Sequence, residues 1–150
     1  MLATREITTP AASRIHPRLW QGNKYSLHQR IATQFQLIVL CAAEVQPARD
    51  EFPSHVKIIR CPLHDVEEPL SELDANRVMH TAQRAARSVL HDRRTLITCR
   101  GGFNRSGLVM ATTLHLLTGR PGVECVQVVR RRREGALFNR SFVSSLYELY

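Results

Sequence analysis

Short uninterrupted apolar runs alternate along the chain with longer stretches in which apolar residues recur every three or four positions. The runs Gln36–Cys41 (QLIVLC), Val56–Cys61 (VKIIRC) and Thr95–Cys99 (TLITC) have the length and β-branched content of buried strands. A shorter run at Leu19 and Trp20, before Gly22, predicts an edge strand. Ser71 with Asp74 three residues later forms a capping box, and Val78, Ala82, Ala85, Ala86 and Val89 follow at helical spacing. A second helix is predicted from about Arg105 to Leu117, apolar nearly all round and therefore buried, with Gly119 and Pro121 stopping it. Two more are expected over Val123–Arg133 and Ser141–Tyr150, the first ending in four arginines whose charge suits a helix C-terminus. Strands alternating with helices imply an α/β domain: a central, mostly parallel sheet of about four to five strands with helices on both faces.

At 150 residues the chain can bury about two thirds of its unfolded surface in one core and is too short for two ordinary domains. Residues 1–12 are expected to form a loose leader and residues 13–150 the folded domain. No apolar run has the length of a signal peptide or membrane span, so a soluble cytoplasmic protein is expected. The net charge is +8, and since only Lys24 and Lys57 are lysines, 19 of the 21 basic residues are arginines. Such a surface attracts anions, and the planar guanidinium fork suits phosphate and carboxylate. Cys41, Cys61, Cys99 and Cys125 include no C-x-x-C pair, which argues against a zinc site or a thioredoxin-like motif and fits a reducing compartment. No metal or other cofactor is expected.

The segment Thr98–Gly107 (TCRGGFNRSG) carries the chemistry. It joins a predicted strand to a predicted helix, where loop amides and a helix N-terminus can converge on an anion. Gly101 and Gly102 permit the backbone angles and close approach that wrapping a phosphate requires. Arg105, six positions after Cys99, can reach back and grip two phosphate oxygens with its fork. A thiol at the start of the cradle feels the field that holds the anion, so the Cys99 thiolate is favoured and becomes a nucleophile. A merely structural buried cysteine would leave the glycines, Arg105 and Ser106 without a reason. A nucleotide phosphate loop is excluded because its Gly-Lys-Ser/Thr ending is absent.

CRGGFNRS resembles the C-x5-R signature of the protein tyrosine phosphatase superfamily, and specifically of its compact dual-specificity branch. RLWQGN at Arg18–Asn23, LIVLC at Leu37–Cys41, IIRCPLHD at Ile58–Asp65 and NRSF at Asn139–Phe142 are similar, in order and spacing, to that branch's strands, general-acid loop and last helix start. The resemblance implies a cysteine-phosphatase-like fold in which Cys99 attacks phosphorus. Arg105 and the loop amides of Arg100, Gly101, Gly102, Phe103 and Asn104 then hold the phosphate oxygens, and Ser106 gives a hydrogen bond to the thiolate. It also implies that Asp65 protonates the leaving group and then activates water, although Glu67 and Glu68 stand beside it. His64 is a lone loop histidine, which more often has no such task. Two residues depart from the usual pattern. Thr98 stands where the family usually has histidine, and its hydroxyl could supply one of the lost hydrogen bonds. Asn104 makes the loop look more like that of RNA 5′-triphosphatase relatives.

Three functions remain open from the sequence. The favoured one is hydrolysis of phosphotyrosine, with phosphoserine and phosphothreonine as further substrates, in a phosphorylated protein. The alternative is a phosphatase of RNA 5′ ends, phosphoinositides or small phosphoesters, suggested by Asn104 and the run Arg130–Arg133; having no interleaved aromatics, that run reads as a solvated helix face rather than a nucleic-acid groove. The last is a phosphate-binding module without turnover, for which Thr98 is the argument. Oligomeric state leaves no signature.

Overall fold

The computed structural model describes residues 9–150. Most of the expected leader, residues 1–8, lies outside the described residues, and the first described strand begins at Ala12. Five strands, β1 (Ala12–His16), β2 (Leu19–Gly22), β3 (Leu37–Ala42), β4 (Lys57–Leu63) and β5 (Thr95–Thr98), form one sheet in the order β1-β2-β5-β3-β4. β1 is antiparallel to β2 and every other pairing is parallel. Five α-helices accompany them: α1 (Gln29–Ala32), α2 (Glu72–Leu90), α3 (Arg105–Thr118), α4 (Gly122–Arg132) and α5 (Arg140–Tyr147).

Every residue of β3 is buried because it lies between β5 and β4 and is covered on both faces, which is why its sequence is a continuous apolar run. One face, with Val39, Cys41, Ile97 and Cys99, packs beneath α2, α3, α4 and α5. The other, with Ile38, Leu40 and Leu96, packs against Ala32 at the end of α1 and against Phe35, Phe52 and Val56. α3 is the central helix. Leu108, Val109, Met110 and Leu114 are all buried in the main core, each contributing about 2 kcal/mol of transfer free energy. Ser71 caps α2, its Oγ accepting from the Asp74 amide at 3.1 Å.

The expected edge strand is not at the edge. Leu19–Gly22 sits between β5 and β1, and the edge is Ala12–His16, whose pattern is masked because the inward position Ser13 is polar. Ser13 faces inward to accept from Arg133 Nη1 at 2.9 Å. No described helix is long and apolar enough to cross a membrane. The parallel strands all end on the same side of the sheet, where β5 runs into the loop before α3.

Candidate active site

Two backbone hydrogen bonds pin the start of this loop to the end of β2: Cys99 N to Gly22 O (3.3 Å) and Lys24 N to Arg100 O (3.0 Å). Gly102 has φ +76°, and an added Cβ would lie 2.7 Å from both the Gly22 carbonyl carbon and Arg133 Nη2, so only glycine fits. Gly101 is different. Its φ is not positive and its nearest neighbour would be the Phe103 ring at 3.2 Å, so the conformational demand expected of both glycines falls on Gly102 alone.

The loop curls over the sulfur. Cys99 is 4 % exposed, and its Sγ accepts from the Gly102 amide at 3.3 Å and lies 3.2 Å from Ser106 Oγ. Gln21 Nε2 donates to that same Oγ (3.2 Å), so the serine's own hydrogen is available to sulfur. The amide hydrogens of Gly101, Phe103, Asn104 and Arg105 are given to no other group among the described residues, which leaves them for an anion. Burial pushes the Cys41, Cys61 and Cys125 thiols up, keeping them protonated.

Arg105 turns inward and is 6 % exposed. Its Nη1 and Nη2 donate to the two oxygens of Glu44 at 2.5 and 2.7 Å, and Nη1 also donates to Leu63 O at 3.1 Å. This bidentate pair holds the Glu44 carboxyl down at about 2, chiefly through the guanidinium hydrogen bonds, and raises Arg105 above its ordinary value. Nε is buried without a partner. The end-on edge of the fork is thus committed to positioning, and the Nε side remains for a ligand. Glu44 was not anticipated, although its place gives a clue: a carboxylate at the C-terminal end of a parallel strand adjacent to β5, the side on which open α/β sheets bind ligands.

Asp65 is brought to the loop by two asparagines. Asn104 Nδ2 donates to Oδ2 (3.0 Å) and Asn139 Nδ2 to Oδ1 (2.8 Å), while Asn104 Oδ1 accepts from the Phe138 and Asn139 amides at 2.9 Å. Asn139 also caps α5, accepting from Ser141 N and Phe142 N. Glu67 instead faces Arg140, whose amide and guanidinium hold its carboxyl below the usual range. Of the three acids in the segment, Asp65 is the one hydrogen-bonded to the Cys99 loop.

Two expectations are corrected. The Thr98 hydroxyl donates to Val39 O at 2.9 Å and so does not supply a hydrogen bond to the Cys99 sulfur. Asn104 ties the segment carrying Asp65 to the Cys99 loop. The basic run is not one solvated face: Arg133 is 1 % exposed, with Nε donating to Gly102 O (2.7 Å) and Nη1 to Pro10 O, while Arg130 donates to Leu137 O. Phe103 offers its backbone to the loop while its ring lies under the Arg133 guanidinium, 5.4 Å from the centroid. Arg100, Gly101, Gly102, Phe103, Asn104 and Arg105 therefore line one loop around Cys99 and Ser106, with Asp65 at its rim.

No family model matches the sequence, and no curated protein matches it significantly. Solved structures do. Tk-PTP in its active form is 24 % identical with TM-score 0.77, covering 93 % of this chain and 97 % of its own. Human DUSP28 is 22 % identical with TM-score 0.79, covering 91 % and 90 %. A mouse putative dual specificity phosphatase complexed with zinc tungstate is 22 % identical with TM-score 0.80, covering 93 % and 86 %. With a five-stranded sheet in this order and a cysteine loop between β5 and α3, the chain has the fold of the compact dual-specificity and tyrosine phosphatases.

Proposed function

We propose that the protein is a cysteine-dependent phosphatase that hydrolyses phosphotyrosine, and phosphoserine or phosphothreonine besides, in phosphoprotein substrates. One observation carries the reading: Cys99 Sγ, Ser106 Oγ, the unpaired loop amides and the free Nε of Arg105 lie together on the loop and first turn of α3, and Asp65 is tied to them. The thiolate attacks phosphorus, and the bond from phosphorus to the ester oxygen breaks as Asp65 gives that oxygen its proton. Loop amides and Arg105 stabilise the charge on the three equatorial oxygens. Asp65, now ionised, takes a proton from water. The water oxygen then attacks phosphorus, the sulfur–phosphorus bond breaks, and Ser106 receives the departing thiolate with its hydrogen.

The protein substrate is favoured over RNA because the two features suggesting RNA have other tasks: Asn104 holds Asp65, and Arg133 is buried against the loop. A module without turnover has no need of an acid fixed by two asparagines. The test compares rates on a phosphotyrosine peptide, a phosphothreonine peptide and a 5′-triphosphorylated RNA, with mass spectrometry of the acid-quenched enzyme. Turnover of peptides with a phosphoryl adduct on Cys99 is expected; preference for the RNA would replace the substrate class, and silence on all three would leave a binding module.

A further inference from the structure

Beside the sheet's antiparallel edge runs a groove of about 550 Å³ that the catalytic machinery does not use, bounded by β1, the end of α3, and α4. Its charged lining consists of Arg14, His16, Arg120, Arg131 and Arg132, with no carboxylate among them. Burial lowers the His16 value, so at neutral pH the charge is that of four arginines. All four are exposed, and none of their guanidinium groups has an ion-pair or hydrogen-bond partner among the described residues. Elsewhere in the molecule, Arg18, Arg77, Arg105 and Arg140 each face an acid. Four convergent, unneutralised forks around one concavity repel one another and are relieved by a ligand bearing several anionic groups.

The floor narrows the chemistry. Ile15, Leu114 and Val128 supply apolar surface, and no Phe, Tyr or Trp is present on which a base could stack. A single-stranded nucleic acid uses such platforms. A peptide carrying alternating acidic and aliphatic side chains uses arginine forks and an apolar floor together. The groove's course also fits a substrate. β1 is antiparallel to β2, so the His16 end lies away from the cradle, as does Thr118 at the end of α3, about 20 Å along that helix from Arg105. From there the groove extends to Arg131 and Arg132, next to Arg133, which donates to Gly102 O in the phosphate loop.

We propose that this groove docks an acidic, aliphatic-containing segment of the phosphoprotein substrate, distant in its sequence from the phosphorylated residue. The substrate role rests on the phosphatase reading; peptide binding does not. Two arms separate them. In the first, full-length Cys99→Ser protein is titrated against a fluorescent, unphosphorylated peptide of alternating Glu and Leu. Saturable binding is expected, weakened about tenfold or more in Arg14→Glu/Arg120→Glu/Arg131→Glu protein and by high salt. In the second, wild-type enzyme is given a phosphotyrosine peptide with and without that segment attached. The segment should lower KM severalfold with kcat unchanged, and the triple variant should lose this advantage while hydrolysing a small aryl phosphate at the wild-type rate.

A matched Arg→Gln triple variant, with its thermal melt compared to wild type, guards against misfolding by charge reversal and should also lose the peptide. Equal binding by wild-type and variant proteins, or preference for single-stranded RNA of the same charge, would overturn the proposal. Absence of aryl phosphate turnover with peptide binding intact would overturn the phosphatase reading and leave the groove.

Discussion

Glu44→Gln removes the negative charge behind Arg105 while keeping the side chain's size. The wild-type carboxylate accepts from Nη1 and Nη2 at 2.5 and 2.7 Å. A glutamine offers one oxygen to that edge and turns an amide donor against the other nitrogen. The loss of a charge-assisted hydrogen bond at this place costs about 1.5–3 kcal/mol of positioning. Because the Nε side of the same guanidinium is the part proposed to meet the equatorial oxygens, kcat/KM on a small aryl phosphate should fall about 10- to 150-fold.

The pair also leaves a mark on stability. The Glu44 carboxyl is lowered from 4.5 to about 2 on folding, so its stabilisation is complete above the unfolded value and is lost as pH falls toward the folded one. The full shift corresponds to about 3 kcal/mol. Since the Glu44 side chain is 44 % exposed, solvent screening reduces that to about 1 kcal/mol. Urea melts of wild-type and Glu44→Gln protein should differ by that amount at neutral pH, and the gap should shrink as pH falls below 4.5 toward about 3. An aryl phosphatase rate within twofold of wild type, or a stability gap constant between neutral pH and pH 3, would refute the reasoning.

Asp65→Asn should slow a substrate with a poor leaving group by about 10²- to 10⁴-fold while sparing one with a good leaving group; an equal effect of Glu68→Gln would move the acid role. Aryl phosphate turnover should be unchanged by excess chelator, and strict dependence on an added divalent metal would contradict the cysteine mechanism. Arg133→Met takes a donor from Pro10 O and Ser13 Oγ and leaves Gly102 O with Gln21 Nε2 alone, and a loss of about 2 kcal/mol in denaturant melts is expected; stability equal to wild type would show that relief of the buried charge offsets those bonds. Gly102→Ala forces a Cβ to 2.7 Å from Gly22 and Arg133 in a positive-φ position, so kcat should fall at least about tenfold, with the change visible as altered reactivity of Cys99 toward an alkylating agent.

Sequence alone determined whatever depends on neighbours along the chain. The apolar runs of β3 and β5, the capped helix α2, the buried helix α3 and the cysteine loop between strand and helix are local patterns, set by periodicity, capping and glycine chemistry. Other features arise where distant segments meet, and no local pattern records that meeting. Arg105 and Glu44 are 61 positions apart, and only the pairing of β3 beside β5 makes them partners. Asn104 and Asn139 looked like a loop variant and a helix cap, yet both converge on Asp65. Arg133 continued a charged run but turns inward because carbonyls from residues 10 and 102 and the Ser13 hydroxyl wait there. Burial of a polar side chain depends on whether folding brings it partners, and that is decided by the path of the whole backbone.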